Sequence, residues 1–294
     1  MIDYTTHSRF TDPGPMAAWV AGWLDGVGPD LAELRRAASG LVFHYWGNGD
    51  ITSHGFPAER MAEADSRYAA DMFARLHALN PAPLGEERAL TERIVGCCRD
   101  FTLLFVSMAR HLGVPARSRV GFAGYLLPGW YLDHVVAEVW DGERWRLVEP
   151  QLVEGEVDLL DVPRDRFLVG ADAWRACRSG ALDADRFVVS PEMTIPGTRG
   201  LTQVRHDLVQ DLASLNKHEM ILWDLWGALS DAPELSSAEV AAADELAESL
   251  RDPDADVRAL FDADAYRVTP VIRSFDQATR TPVEVVLRQA AVLG

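Results

Sequence analysis

Apolar residues recur at helical spacing through most of the chain and alternate with polar ones only in its middle. Residues 1–12 are polar and read as a loose arm, and Pro13 to Gly40 carries a helical pattern around Trp19, Leu24, Leu31 and Leu34. Leu41 to Trp46 is a short apolar run closed by the turn-like Gly47-Asn48-Gly49-Asp50. An amphipathic helix is expected from Ala58 to Leu79, stopped at Asn80-Pro81 because the residue before proline avoids the helical region. Glu86 to Val95 reads as a further helical stretch. The most regular pattern follows: Phe101, Leu104, Phe105, Met108 and Leu112 form one buried stripe, ended by the Gly113 and Pro115 punctuation. Strands are then expected at Arg117–Phe122, Leu132–Trp140 and Trp145–Val148, the last two joined by the hairpin dipeptide Asp141-Gly142. Beyond about residue 165 the pattern is mainly helical again, with capping boxes at Ser236–Glu239 and Thr281–Glu284. A helix followed by antiparallel strands, with helices before and after, predicts an α+β fold.

The chain has 294 residues, with 28 Lys+Arg against 45 Asp+Glu and a formal charge of −17. Nucleic acid and anionic membrane surfaces are therefore disfavoured as partners, since both need a basic face. Neither a signal-like segment nor an apolar run long enough to span a bilayer is visible. With 3 cysteines, two of them the neighbours Cys97 and Cys98, a disulfide scaffold is not expected. A cytoplasmic setting fits these features. The acidic run between Asp231 and Asp264 reads as a solvated helical face.

One set of residues has the chemistry of a thiol nucleophile. Cys98 opens the buried helix just after Gly96, where free N–H groups and the helix dipole favour a thiolate. Helical phasing puts Cys97 on the apolar stripe and Cys98 at its edge, so Cys97 is expected in the core and Cys98 exposed. His134, at the start of a strand, is a candidate base, and Glu149, ending the strand paired with it, a candidate orienting acid. Glu138 is a poorer partner, being four residues and roughly 13 Å along the strand, and Asp133 points to the opposite face. The other histidines show no close ligand pairs, so no metal and no cofactor is expected.

Gly96-Cys97-Cys98-Arg99-Asp100-Phe101 resembles the nucleophile motif of the transglutaminase-like, papain-related cysteine enzymes, Gly-x-Cys-x-Asp/Glu-Phe/Tyr. The following LLFVSMARHLGVPARSRVGF resembles that family's helix, turn and first strand. Asp133-His134 to Trp140 is similar to its histidine strand, and Trp145 to Gln151 to the segment bearing its acid. A weaker resemblance to stand-alone bacterial members continues towards the C-terminus. The resemblance implies a nucleophile helix packed on an antiparallel sheet, with a core at 90–165, a helical N-terminal segment at 1–89 and a helical extension at 166–294. It makes Cys98 the nucleophile, His134 the general base and Glu149 the orienting acid, although the family usually carries aspartate there.

Such enzymes attack an amide, ester or thioester carbonyl and pass the acyl group to an amine or to water. One oxyanion donor would be the Cys98 backbone N–H. For the second, His44, Tyr45 and Trp46 are candidates, and Trp46 is preferred because an indole N–H donates without exchanging protons. Tyr125, Trp130 and Tyr131 are expected to line an acyl pocket, whereas Trp223 and Trp226, at helical spacing, would pack the C-terminal part on the core. The expected activity is acyl transfer forming an amide bond, on a small-molecule, peptide or carrier-bound thioester substrate. An amidase or peptidase using the same residues is the alternative, and a non-catalytic binding protein with a degraded triad the second.

Overall fold

In the computed structural model, residues 2–229 and 234–289 are described. The N-terminal third contains helices α1 (Ala17–Val27) and α2 (Leu31–Leu41), strand β1 (Val42–His44), a one-turn helix α3 (Tyr45–Asn48) and α4 (Ala69–Leu79). Strand β2 (Ile94–Gly96) pairs with β1 in parallel, setting His44 opposite Gly96. Helix α5 (Cys98–His111) follows, buried from Cys98 through Arg110. Next come β3 (Ala116–Ala123), β4 (Tyr131–Trp140), β5 (Trp145–Val148), β6 (Phe167–Val169), α6 (Gly170–Arg178) and β7 (Phe187–Val188). The chain continues with α7 (Gly200–Leu215), α8 (Ser237–Ser249), α9 (Val257–Phe261) and a hairpin of β8 (Val271–Asp276) and β9 (Thr281–Val286).

The five-stranded sheet runs β5-β4-β3-β6, with β7 on the same edge of β4 as β5 but at its other end. Strand alternation sends Phe122, Ala137 and Val139 into the main core with α5, while Ala123, Val136, Leu147 and Phe167 form a second cluster. The fold is therefore α+β, with a buried helix against an antiparallel sheet. Among the described residues no helix is long and apolar enough to cross a membrane.

Several segments depart from the sequence pattern. The expected helix at 58–79 is a 3-10 stretch over Ala58–Asp65 and then α4. Between them the carbonyls of Ser66 and Arg67 turn away to accept hydrogen bonds from buried Arg99. The 86–95 segment holds only a 3-10 turn at Leu90–Glu92, because Ile94–Gly96 is drawn into β2. The N-terminal arm is pinned, not loose. Phe10 is fully buried and stacks on Tyr68, and the Ser107 hydroxyl donates to the Thr11 carbonyl. Thr281–Glu284 begins a strand, since pairing with β8 outweighs the local capping signal. The Ser236–Glu239 box does cap α8.

Charged side chains fix the sheet. Arg119 makes a two-pronged pair with Asp211 of α7 at 2.9 and 2.8 Å and also reaches Glu138. Arg117 and Arg164 bond the same Glu138, which holds its carboxyl far below the usual range despite burial. Gly121 of β3 lies between His134 of β4 and Val169 of β6. A Cβ there would stand 2.1 Å from the Leu168 carbonyl oxygen, which is backbone and cannot yield. Gly121→Ala is expected to destabilise the protein by about 1–3 kcal/mol, read as a lower urea midpoint at unchanged slope.

Candidate active site

Three elements bring the predicted chemistry together. Cys97 caps α5 in an extended conformation, and its N–H donates to Asp100 Oδ2 at 2.9 Å. Asp100 is in turn bonded by Arg99 at 3.0 Å, which explains an acid two residues after the nucleophile: it ties the first turn of the helix. Cys98 is thus the first helical residue, where unpaired N–H groups face outward. His134 comes from β4, and Glu149 directly follows β5.

His134 Nε2–H donates to Glu149 Oε2 at 2.7 Å. The same oxygen accepts the Tyr125 hydroxyl at 2.5 Å, and the Gln151 N–H donates to Glu149 Oε1 at 2.9 Å. Three donors therefore hold a buried carboxylate, and its pKa stays below the ordinary glutamate value although burial pushes it up. With Nε2 committed to Glu149, Nδ1 is the ring nitrogen left for Cys98, and ring and sulfur act on each other's protonation. Burial works against a charged imidazole. The Glu149 carboxylate and the Cys98 sulfur outweigh it and raise His134 to about 10.

The two thiols divide. Cys98 is held well below the ordinary thiol value, first by a hydrogen bond from Cys97 and then, against desolvation, by His134 and His44. Cys97 moves the other way, through the same bond, burial and the nearby Asp100 carboxylate. Only Cys98 has imidazoles as neighbours, so the negative charge belongs on its sulfur.

Both cysteines are buried, and Cys98 keeps only 6 % of its surface, contrary to the exposed position expected from helical phasing. Val120 and Val135 pack on it from the sheet, and Leu222 from the segment after α7. That segment is not helical around Trp223 and Trp226. Trp226 is buried in the core, whereas Trp223 sets its edge against Tyr45 at 6.5 Å.

The upstream candidates separate sharply. Trp46, preferred from the sequence, is 51 % exposed. His44, two residues earlier, instead helps lower the Cys98 thiol, and its ring centroid lies 6.3 Å from that of Phe101. Its Nδ1 accepts the Gly47 N–H at 2.8 Å, so the proton is on Nε2. Of the residues expected to line an acyl pocket, Tyr125 orients Glu149. Tyr131 stacks on Phe187 at 4.5 Å, and the guanidiniums of Arg186 and Arg199 lie over the Trp130 ring at 5.6 and 5.7 Å. Glu138, weighed as a rival acid, is consumed by its three arginines. Among the described residues no group of three His, Cys, Asp or Glu side chains is arranged to hold a metal ion.

Residues 58–150 match the family model of the transglutaminase-like superfamily. Over that segment, which holds α4, α5 and the β3–β5 strands, the chain is similar to the transglutaminase-like superfamily. The match begins well before the residue 90 boundary expected from the motifs and takes in α4. A solved structure from Cytophaga hutchinsonii, of a candidate cysteine protease, aligns at 18% identity with a TM-score of 0.36, over 56% of this chain and 44% of that one. The chain thus spans less than half the length of that structure. No curated protein matches.

Proposed function

We propose that this protein is a thiol-dependent acyltransferase in which Cys98 attacks an amide, ester or thioester carbonyl and the acyl group passes to an amine. The observation that supports this best is the 2.7 Å hydrogen bond from His134 to the buried Glu149 carboxylate, with the Cys98 sulfur acting on the same ring and charge favoured on all three. In the first half-reaction the Cys98 sulfur bonds the carbonyl carbon and the carbonyl oxygen takes up the displaced electron pair. The Cys98 N–H and the His44 Nε2–H are the donors for that oxygen. His134 hands its proton to the leaving group as the carbonyl re-forms, leaving an acyl-thioester on Cys98 and a neutral imidazole. In the second half an amine attacks the thioester, His134 takes its proton, and the C–S bond breaks. Glu149 keeps Nδ1 aimed at sulfur throughout and remains ionised. Glutamate in place of the family's usual aspartate reaches the ring without loss of contact, at 2.7 Å.

The test is to trap the acyl-enzyme by intact mass after exposure to 4-nitrophenyl acetate and to a panel of thioesters and carboxamides. One acyl adduct per chain is expected, absent from Cys98→Ala. An adduct that persists in that variant would place the nucleophile elsewhere, and no adduct with any donor would leave the chain a binding protein.

A further inference from the structure

The Glu149 carboxylate gives one of its oxygens to two donors. Oε2 accepts from His134 Nε2 at 2.7 Å and from the Tyr125 hydroxyl at 2.5 Å. Tyr125 follows β3, and its side chain packs with Ala123, Val136, Leu147 and Phe167 in the second apolar cluster. The hydroxyl is thus delivered from a fixed ring, with only 8% of the residue exposed. Burial and the facing carboxylate push the phenol well above its ordinary value, so it stays protonated and serves Glu149 as a donor. Its ring meets the imidazole edge to face, with centroids 6.3 Å apart at 85°, and does not stack upon it.

Anchoring alone does not require this arrangement. The Gln151 N–H already fixes Oε1 at 2.9 Å, and His134 fixes Oε2. A second donor on the same oxygen has a further effect. It draws on the negative charge that also holds the imidazolium, so the pull of the carboxylate on the ring is weakened. That pull matters in acylation, where the ring must give its Nδ1 proton to the leaving group. A tighter grip on the charged ring raises the cost of the transfer. Cys98 of α5 and Arg35 of α2 act on the ring and the carboxylate through charge, as does Asp133 beside the ring. Tyr125 touches the shared oxygen directly.

We propose that Tyr125 is a positioning residue for proton release: by sharing Oε2 with His134 it limits the grip of Glu149 on the imidazolium and lets the Nδ1 proton reach the leaving group. This rests on the acyl-transfer reading and names what sets the strength of its acid. In the step concerned the S–C bond has already formed. The oxyanion's electron pair re-forms the carbonyl, the C–N bond to the leaving nitrogen breaks, and the proton moves from Nδ1 to that nitrogen. The Nε2 proton stays between ring and carboxylate throughout. A leaving amine cannot depart without the transferred proton, whereas nitrophenolate is stable as an anion and needs none. Tyr125 therefore matters for carboxamide donors and hardly for activated esters.

The test is Tyr125→Phe in the full chain, which keeps the packed ring and removes only the hydroxyl. Losing a hydrogen bond to a charged group should slow release of 4-nitroaniline from 4-nitroacetanilide about tenfold. The nitrophenolate burst from 4-nitrophenyl acetate should stay within about twofold of wild type. The proton NMR signal of the His134 Nε2–H, identified by its loss in His134→Ala, should move downfield as the remaining bond to Oε2 tightens. That readout needs no substrate. A carboxylate that had merely lost an anchor would do the reverse, with the signal moving upfield and both substrates slowing together. That pattern, or an unchanged signal, overturns the role of Tyr125 while acyl transfer stands. Absence of a burst in the wild type overturns acyl transfer itself, and this role with it.

Discussion

Replacing His134 with alanine should remove about 99% of the reactivity of Cys98 towards iodoacetamide at about pH 6.5. In the intact protein the thiol is held well below its ordinary value and His134 is raised to about 10. Thiolate and imidazolium therefore coexist from the depressed thiol value up to about pH 10, and alkylation should be nearly flat across neutral pH. Without the ring, an ordinary thiol pKa near 8.5 leaves only about 1% thiolate at pH 6.5, roughly a hundredfold loss. Burial raises that thiol while Cys97 and His44 lower it, so the ordinary value is the reference for the variant. Acylation of an amide should behave differently at the alkaline end. Above about pH 10 His134 loses its proton, and the leaving group then has no donor, so amide acylation should decline while alkylation persists. A parallel decline of both reactions there would mean that the imidazole does not serve as the acid. An unchanged alkylation profile in His134→Ala would mean that the ring and the sulfur are not coupled.

The helix and the strands that carry these groups were legible because their signals are local. A 3.6-residue stripe over Phe101–Leu112, the Gly113–Pro115 stop and the Asp141-Gly142 turn each act within a few residues. The pairing of His134 with Glu149 followed from that hairpin. What failed depended on partners far along the chain. Ile94–Gly96 is a strand only because Val42–His44 lies beside it, and Thr281–Val286 only because of β8. The break at Ser66–Tyr68 is set by Arg99, over thirty residues away. Exposure of Cys98 was misjudged for the same reason. A helical wheel knows its own helix, and Leu222 arrives from a segment more than a hundred residues later.

Substituting His44 with phenylalanine should slow acyl-enzyme formation about 10²–10³-fold, the usual consequence of removing one oxyanion donor. The parallel pairing of β1 with β2 places His44 level with Gly96, two residues before the nucleophile. The backbone then decides the tautomer. Because the Gly47 N–H is given to Nδ1, the neutral ring must carry its proton on Nε2, the nitrogen available to the sulfur and to an oxygen bound beside it. Gly47 permits this approach, as a Cβ there would stand 3.2 Å from Nδ1. Phenylalanine keeps the ring against Phe101 and removes only the donor, so folding should survive. Alkylation by iodoacetamide forms no oxyanion. Measured where the thiol is fully ionised, it should change little in His44→Phe while the nitrophenolate burst slows. Trp46→Phe, on an exposed side chain, should leave the burst within about twofold of wild type, as expected for surface substitutions. A slow burst in Trp46→Phe with a normal one in His44→Phe would return the donor role to the indole.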